Sequence, residues 1–95
     1  MITKENKNRI KFELSNNATQ IGLMLDNSLQ IKLGKRIQKL RDSVGMSQQE
    51  LAAKCNFEKS NMSRLEAGRV NPTLSTLEKI ANAIGVPIPE LFNFD

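Results

Sequence analysis

From Leu29 onward, apolar residues recur at spacings of three and four, the period of a helix with one buried face. Leu29, Leu33, Ile37, Leu40 and Val44 form the first stripe, which predicts a helix ending before Gly45. Ser47 and Glu50 have the spacing of a capping box, so a second helix starts at Ser47. Its apolar face is Leu51, Ala52 and Cys55, and the small Ala52 lets another helix cross closely. Asn56, tolerant of the left-handed conformation, closes this helix in a sharp turn, with Phe57 as the turn's anchor in the core. The next helix, residues 58 to 67, buries Met62 and Leu65 and stops at Gly68. Thr73 or Ser75 caps a fourth, with Leu74, Leu77, Ile80, Ala81 and Ile84 on its face and Gly85 at its end. Pro87 to Phe92 then allows a short last helix, because proline is accepted in a first turn. The expectation is an all-α domain of five helices.

Upstream the pattern changes. Residues 1 to about 28 are polar and Asn-rich, with two alternating runs, Ile10, Phe12, Leu14 and Ile21, Leu23, Leu25, separated by residues 15 to 19. This arm fits either a β-hairpin or a chain without fixed structure. A hairpin there would need the helical domain or a partner to cover its apolar side. The expected division is an arm over 1–28 and a helical domain over 29–95.

Composition narrows the function. With 95 residues, 39% of them hydrophobic and four aromatic, the chain has room for one small helical core. Without histidine and with one cysteine, it can assemble neither the usual soft metal sets nor a histidine-based triad. No metal and no cofactor are expected. The lone Cys55, on an apolar helix face, reads as a small hydrophobe. Glu50, Glu58, Glu66, Glu78 and Glu90 are scattered rather than paired, so enzyme activity is not expected. There is neither a signal peptide nor an apolar run long enough to span a bilayer, which predicts a cytoplasmic protein with no membrane partner. The net charge of +4 favours an anionic partner, and the placement of Lys59, Arg64 and Arg69 makes that partner nucleic acid.

In the helix of residues 58 to 67, burial of Met62 and Leu65 turns Ser60, Ser63, Arg64 and Ala67 outward, with Lys59 and Asn61 on the flanks. The whole segment resembles the helix-turn-helix of lambda-repressor and Cro type, the xenobiotic-response-element family. The matching residues are Leu40-Arg41, Gly45 to Ala52, Ser60 to Gly68, Asn71-Pro72-Thr73, Leu77, Ile80-Ala81, Ile84-Gly85-Val86 and Glu90-Leu91-Phe92. They cover roughly two thirds of the chain, in register and without gaps. Asn56 stands where the family often has glycine, and Pro87 where it usually has a capping Ser or Thr.

The resemblance implies that the helix of residues 58–67 enters a major groove of double-stranded DNA. Lys59, Ser60, Asn61 and Arg64 are then the base readers, Arg64 across guanine O6 and N7 and Asn61 across adenine N6 and N7. Gln48, Arg69 and Asn71 match positions that hold phosphates, fixing register without reading sequence. Arg41 and Glu66 match a buried structural ion pair. One reading helix per chain implies a homodimer on a palindromic operator, with Leu91, Phe92 and Phe94 or the arm as its interface. The expected role is a transcriptional regulator acting as a repressor, of phage or mobile-element kind or a restriction-modification controller. The alternative is an antitoxin or other protein-interaction module of the same fold, binding a toxin or other partner protein through its arm.

Overall fold

The computed structural model describes residues 27–94. Apart from Asn27 and Ser28, the arm and its hairpin reading lie outside the described residues. The fold is all-α: helices α1 (Ser28–Ser43), α2 (Gln48–Lys54), α3 (Lys59–Glu66) and α4 (Leu74–Ile84), followed by a 3₁₀ helix (Ile88–Phe92). The last element is thus a 3₁₀ turn and not an α-helix; Pro89 lies in its first turn, where a missing N–H costs nothing.

Three successive helices end the same way. After α2, Asn56 takes φ 60°, its N–H donates to Ala53 O at 3.1 Å, and the Phe57 N–H reaches Ala52 O at 2.8 Å. This pair of reversed bonds satisfies carbonyls that the helix leaves open. The ends of α1, at Gly45, and of α3, at Gly68, repeat the bond pattern with positive φ. Helix starts are equally local. Ser47 Oγ accepts from the Glu50 N–H at 3.0 Å while Glu50 Oε1 accepts from the Ser47 N–H at 2.7 Å, and Thr73 Oγ1 caps α4 through the Thr76 N–H at 3.2 Å. The cap of α4 is therefore Thr73, not Ser75.

The core gathers Leu33, Ile37, Leu51, Ala52, Cys55, Met62, Leu65, Leu77, Ile80, Ala81, Ile84 and Leu91. Leu40 is half-buried against it, and three stripe positions are exposed: Leu29 58%, Val44 50% and Leu74 79%. All three sit at helix ends, where the 3.6-residue period continues but no neighbouring element remains to cover it. Phe57 is half-buried rather than central. It packs on the edge of the core with the Lys79 ammonium 5.7 Å from its ring centroid, so α4 grips the turn that leads into α3.

At the crossing of α1 and α3 the backbones touch. A Cβ built on Gly34 would lie against the Glu66 carbonyl oxygen, 2.7 Å from Glu66 C and 2.8 Å from Leu65 O. Only the missing side chain lets α3 come this close. Two turns earlier, Asn27 Nδ2 donates to Gly68 O at 3.1 Å. At the other edge of α1, Arg36 donates to the backbone and the carboxylate of Glu90, at 2.8 and 3.0 Å, tying the 3₁₀ helix to α1.

Candidate nucleic-acid interface

Helix α3 is buried along Met62, Leu65 and Glu66 and exposed at Lys59, Ser60, Asn61, Ser63 and Arg64. The four residues expected to read bases are therefore all exposed to solvent. Two of them touch: Arg64 Nη2 donates to Asn61 Oδ1 at 2.6 Å, as residues three apart on a helix can. Asn61 in turn lines a shallow groove with Asn71, Val70 and Pro72 of the loop after α3, so that loop borders the same surface. Arg69 and Asn71 are both exposed. The Arg69 N–H, donating to Arg64 O at 2.9 Å, ties the start of the loop to the helix end.

Gln48 sits differently. It is the first residue of α2 and half-buried, and its Nε2 donates to Glu66 Oε1 at 3.0 Å. That commits one of its two amide hydrogens to the end of α3. Sequence reasoning missed this bond, which depends on how α2 and α3 pack and has no local signature.

Beneath this surface lies an ion pair. Arg41 Nε donates to Glu66 Oε2 at 2.8 Å and Arg41 Nη2 to Glu66 Oε1 at 3.0 Å, a two-point contact with side chains only 8% and 4% exposed. Arg41 Nη1 continues to Met46 O at 2.8 Å and to Asp42 Oδ1 at 3.1 Å. Donation of the Arg41 hydrogen bonds to the Glu66 carboxylate raises the Arg41 pKa above its ordinary value against the opposing effect of burial. One guanidinium thus ties α1 to α3 and to the turn before α2, and Gln48 closes the network. Glu58, before the start of α3, is exposed and makes no side-chain cap.

Cys55 is buried, and burial pushes its thiol pKa up, so it stays a neutral core side chain. Among the described residues no cluster of His, Cys, Asp and Glu could hold a metal ion, and no helix is long and apolar enough to cross a membrane. What the surface offers is a short helix with donors and positive charge outward, flanked by a loop of the same character.

Known proteins share this arrangement. A helix-turn-helix family model (HTH_3) matches residues 37–91. The control protein C.MunI of Mycoplasma sp is 34% identical over 68 residues, covering 70% of this chain and 92% of that protein. The immunity repressor protein of Bacillus phage phi105 is 39% identical over 56 residues, which is 59% of this chain but only 39% of the repressor. Among solved structures, the restriction-modification controller protein C.AhdI from Aeromonas hydrophila superposes with a TM-score of 0.68 at 32% identity, covering 70% of this chain and 96% of the controller. The chain belongs to the lambda-repressor/Cro-type helix-turn-helix family, a family of DNA-binding transcription regulators rather than enzymes.

Proposed function

We propose that this protein is a sequence-specific transcription regulator that acts as a repressor, binding a palindromic operator as a homodimer with α3 in the major groove. The observation that carries this reading is the division of α3: Met62 and Leu65 are buried, while Lys59, Ser60, Asn61 and Arg64 all face solvent on a helix short enough to lie within a groove. Arg69 and Asn71, in the loop bordering this face, are assigned to phosphates. So is Gln48, through the amide hydrogen not engaged by Glu66. Arg41 and Glu66 hold α3 at its docking angle and touch no DNA.

Dimerisation follows from specificity. One eight-residue helix reads too few base pairs for a unique site, whereas two helices about 34 Å apart enter successive major grooves. Ile88 and Phe92, exposed on the 3₁₀ helix, with Phe94 edge-on to Phe92 at 6.2 Å between ring centroids, are the apolar surface assigned to the second copy, whereas Leu91, expected at this interface, is fully buried in the core. The near-complete coverage of C.MunI supports a role like that of the control proteins. The toxin-binding alternative relies on the arm, which apart from Asn27 and Ser28 lies outside the described residues.

Site selection from random duplexes tests the reading. Wild type should return a palindromic consensus. Arg64→Ala should relax one base pair per half-site and weaken specific binding by about 1–3 kcal/mol, with little change in non-specific affinity. An identical consensus for both proteins would remove Arg64 from the readout.

Arg69→Ala should behave differently. As a phosphate contact it should weaken binding to specific and random duplexes alike, and lower the slope of log affinity against log salt by roughly one. A loss confined to the specific site would make Arg69 a base reader instead.

A further inference from the structure

We infer that the tie between Arg36 and Glu90 sets which spacing of half-sites the dimer accepts, by fixing the 3₁₀ helix, and with it the surface assigned to the second copy, relative to α3. The inference rests on α3 as the groove helix and on the 3₁₀ helix as the dimer surface, and goes beyond both to the register of the two copies on DNA.

Helix α1 stands between the two elements. On one side the backbone of α3 rests on Gly34, where no side chain keeps the helices apart. Two residues on, about 200° around the helix and so on its opposite side, Arg36 reaches the 3₁₀ helix. Its Nε donates to Glu90 O at 2.8 Å and its Nη2 to Glu90 Oε1 at 3.0 Å. A planar guanidinium held at two points fixes direction as well as distance. The Arg36 side chain is only 16% exposed, so the grip lies largely out of solvent, and Glu90 stands between Ile88 and Phe92, the exposed apolar residues of the same element.

Within the 3₁₀ helix Leu91 alone is buried. One buried side chain fixes a point, whereas direction needs a second attachment, and Glu90 supplies it. Packing does not replace that attachment along the seam, because an open groove lined by Lys32, Lys35, Arg36, Lys39, Asn93 and Phe94 runs between α1 and the residues after the 3₁₀ helix. In a two-fold dimer any displacement of the dimer surface relative to α3 enters twice in the separation of the reading helices. One base pair more or less between half-sites moves the second site by about 3.4 Å and turns it by about 35°. Both distance and direction must therefore be held for spacing to be read.

The test measures dissociation constants of wild type, Arg36→Met and Glu90→Gln on the selected operator and on versions with one or two base pairs added or removed between the half-sites. Sedimentation and urea midpoints accompany it. Arg36→Met keeps an apolar stem and removes both bonds, whereas Glu90→Gln keeps the backbone acceptor. Wild type should prefer one spacing, and Arg36→Met, still a dimer, should narrow the ratio between correct and altered spacing roughly two- to thirtyfold, with Glu90→Gln in between. Base preferences within each half-site should not change, which separates a positioning residue from a reader. Three results would overturn the inference: a wild-type dimer with no preferred spacing, an Arg36→Met dimer with the wild-type ratio, or a loss of affinity equal at every spacing, the mark of a purely structural residue. If Arg36→Met does not fold, Glu90→Gln decides by the same criteria. A wild-type protein that sediments as a monomer on its operator would bring down the dimer reading itself, a failure distinct from these three.

Discussion

Arg41→Met lowers the unfolding free energy by about 3–5 kcal/mol, a large part of the total for a domain this small. The loss comes from what remains. Glu66, with a side chain 4% exposed, keeps only the Gln48 amide and has no cation against it. The Met46 carbonyl loses its guanidinium donor as well. Glu66→Leu should cost less, because Arg41 still holds Asp42 Oδ1 and Met46 O and its charge lies next to an exposed carboxylate. Changing both residues, Arg41→Met with Glu66→Leu, should recover much of the loss, since apolar packing of similar volume needs no ion pair. Urea midpoints for the four proteins measure this. If the single losses simply add in the double variant, the contact contributes nothing of its own.

Gly34→Ala should destabilise by about 1–3 kcal/mol or more, although alanine is the better helix former by about 1 kcal/mol. Propensity loses here because the new methyl meets backbone, the carbonyls of Leu65 and Glu66, which cannot swing aside as a side-chain end can. Helix α1 and helix α3 must separate, and the two-point Arg41–Glu66 contact stretches with them. Affinity for DNA should fall along with the denaturation midpoint. A variant as stable as wild type would mean that the crossing has slack. In that case the close approach of the two helices would not be what sets the position of α3.

The helix ends were legible in the sequence because their chemistry is local. The Ser47–Glu50 box, the left-handed Asn56 and the stop at Gly68 each involve residues within a few positions of one another. Interior stripe positions such as Leu33, Ile37 and Ile80 were legible for the same reason. Periodicity could not say where cover runs out, which is why Leu29, Val44 and Leu74 read as core and are exposed. The pairing of Arg41 with Glu66 bridges 25 positions and came only from the family pattern. Gly34 had a signal that went unused: a glycine in mid-helix, with no turn residues around it, marks a close backbone approach. The bonds Gln48–Glu66 and Asn61–Arg64 depend on rotamers and on packing, and no spacing rule separates them from ordinary solvated side chains.

The polar anchors of helix α3, about 12 Å long, lie at its far end. Glu66 is held by Arg41 and Gln48, the Leu65 and Glu66 carbonyls rest on Gly34, and Gly68 O takes the Asn27 amide. Lys59, Ser60 and Asn61, at the near end, support none of these contacts. The root carries the polar clamp, and the exposed side chains of the tip take no part in it. If α3 reads bases as proposed, substitutions at the tip should change which sequence is recognised at little cost in folding, whereas changes at the root should alter stability first. Such a layout leaves operator preference free to drift between lineages while the scaffold that presents it stays the same.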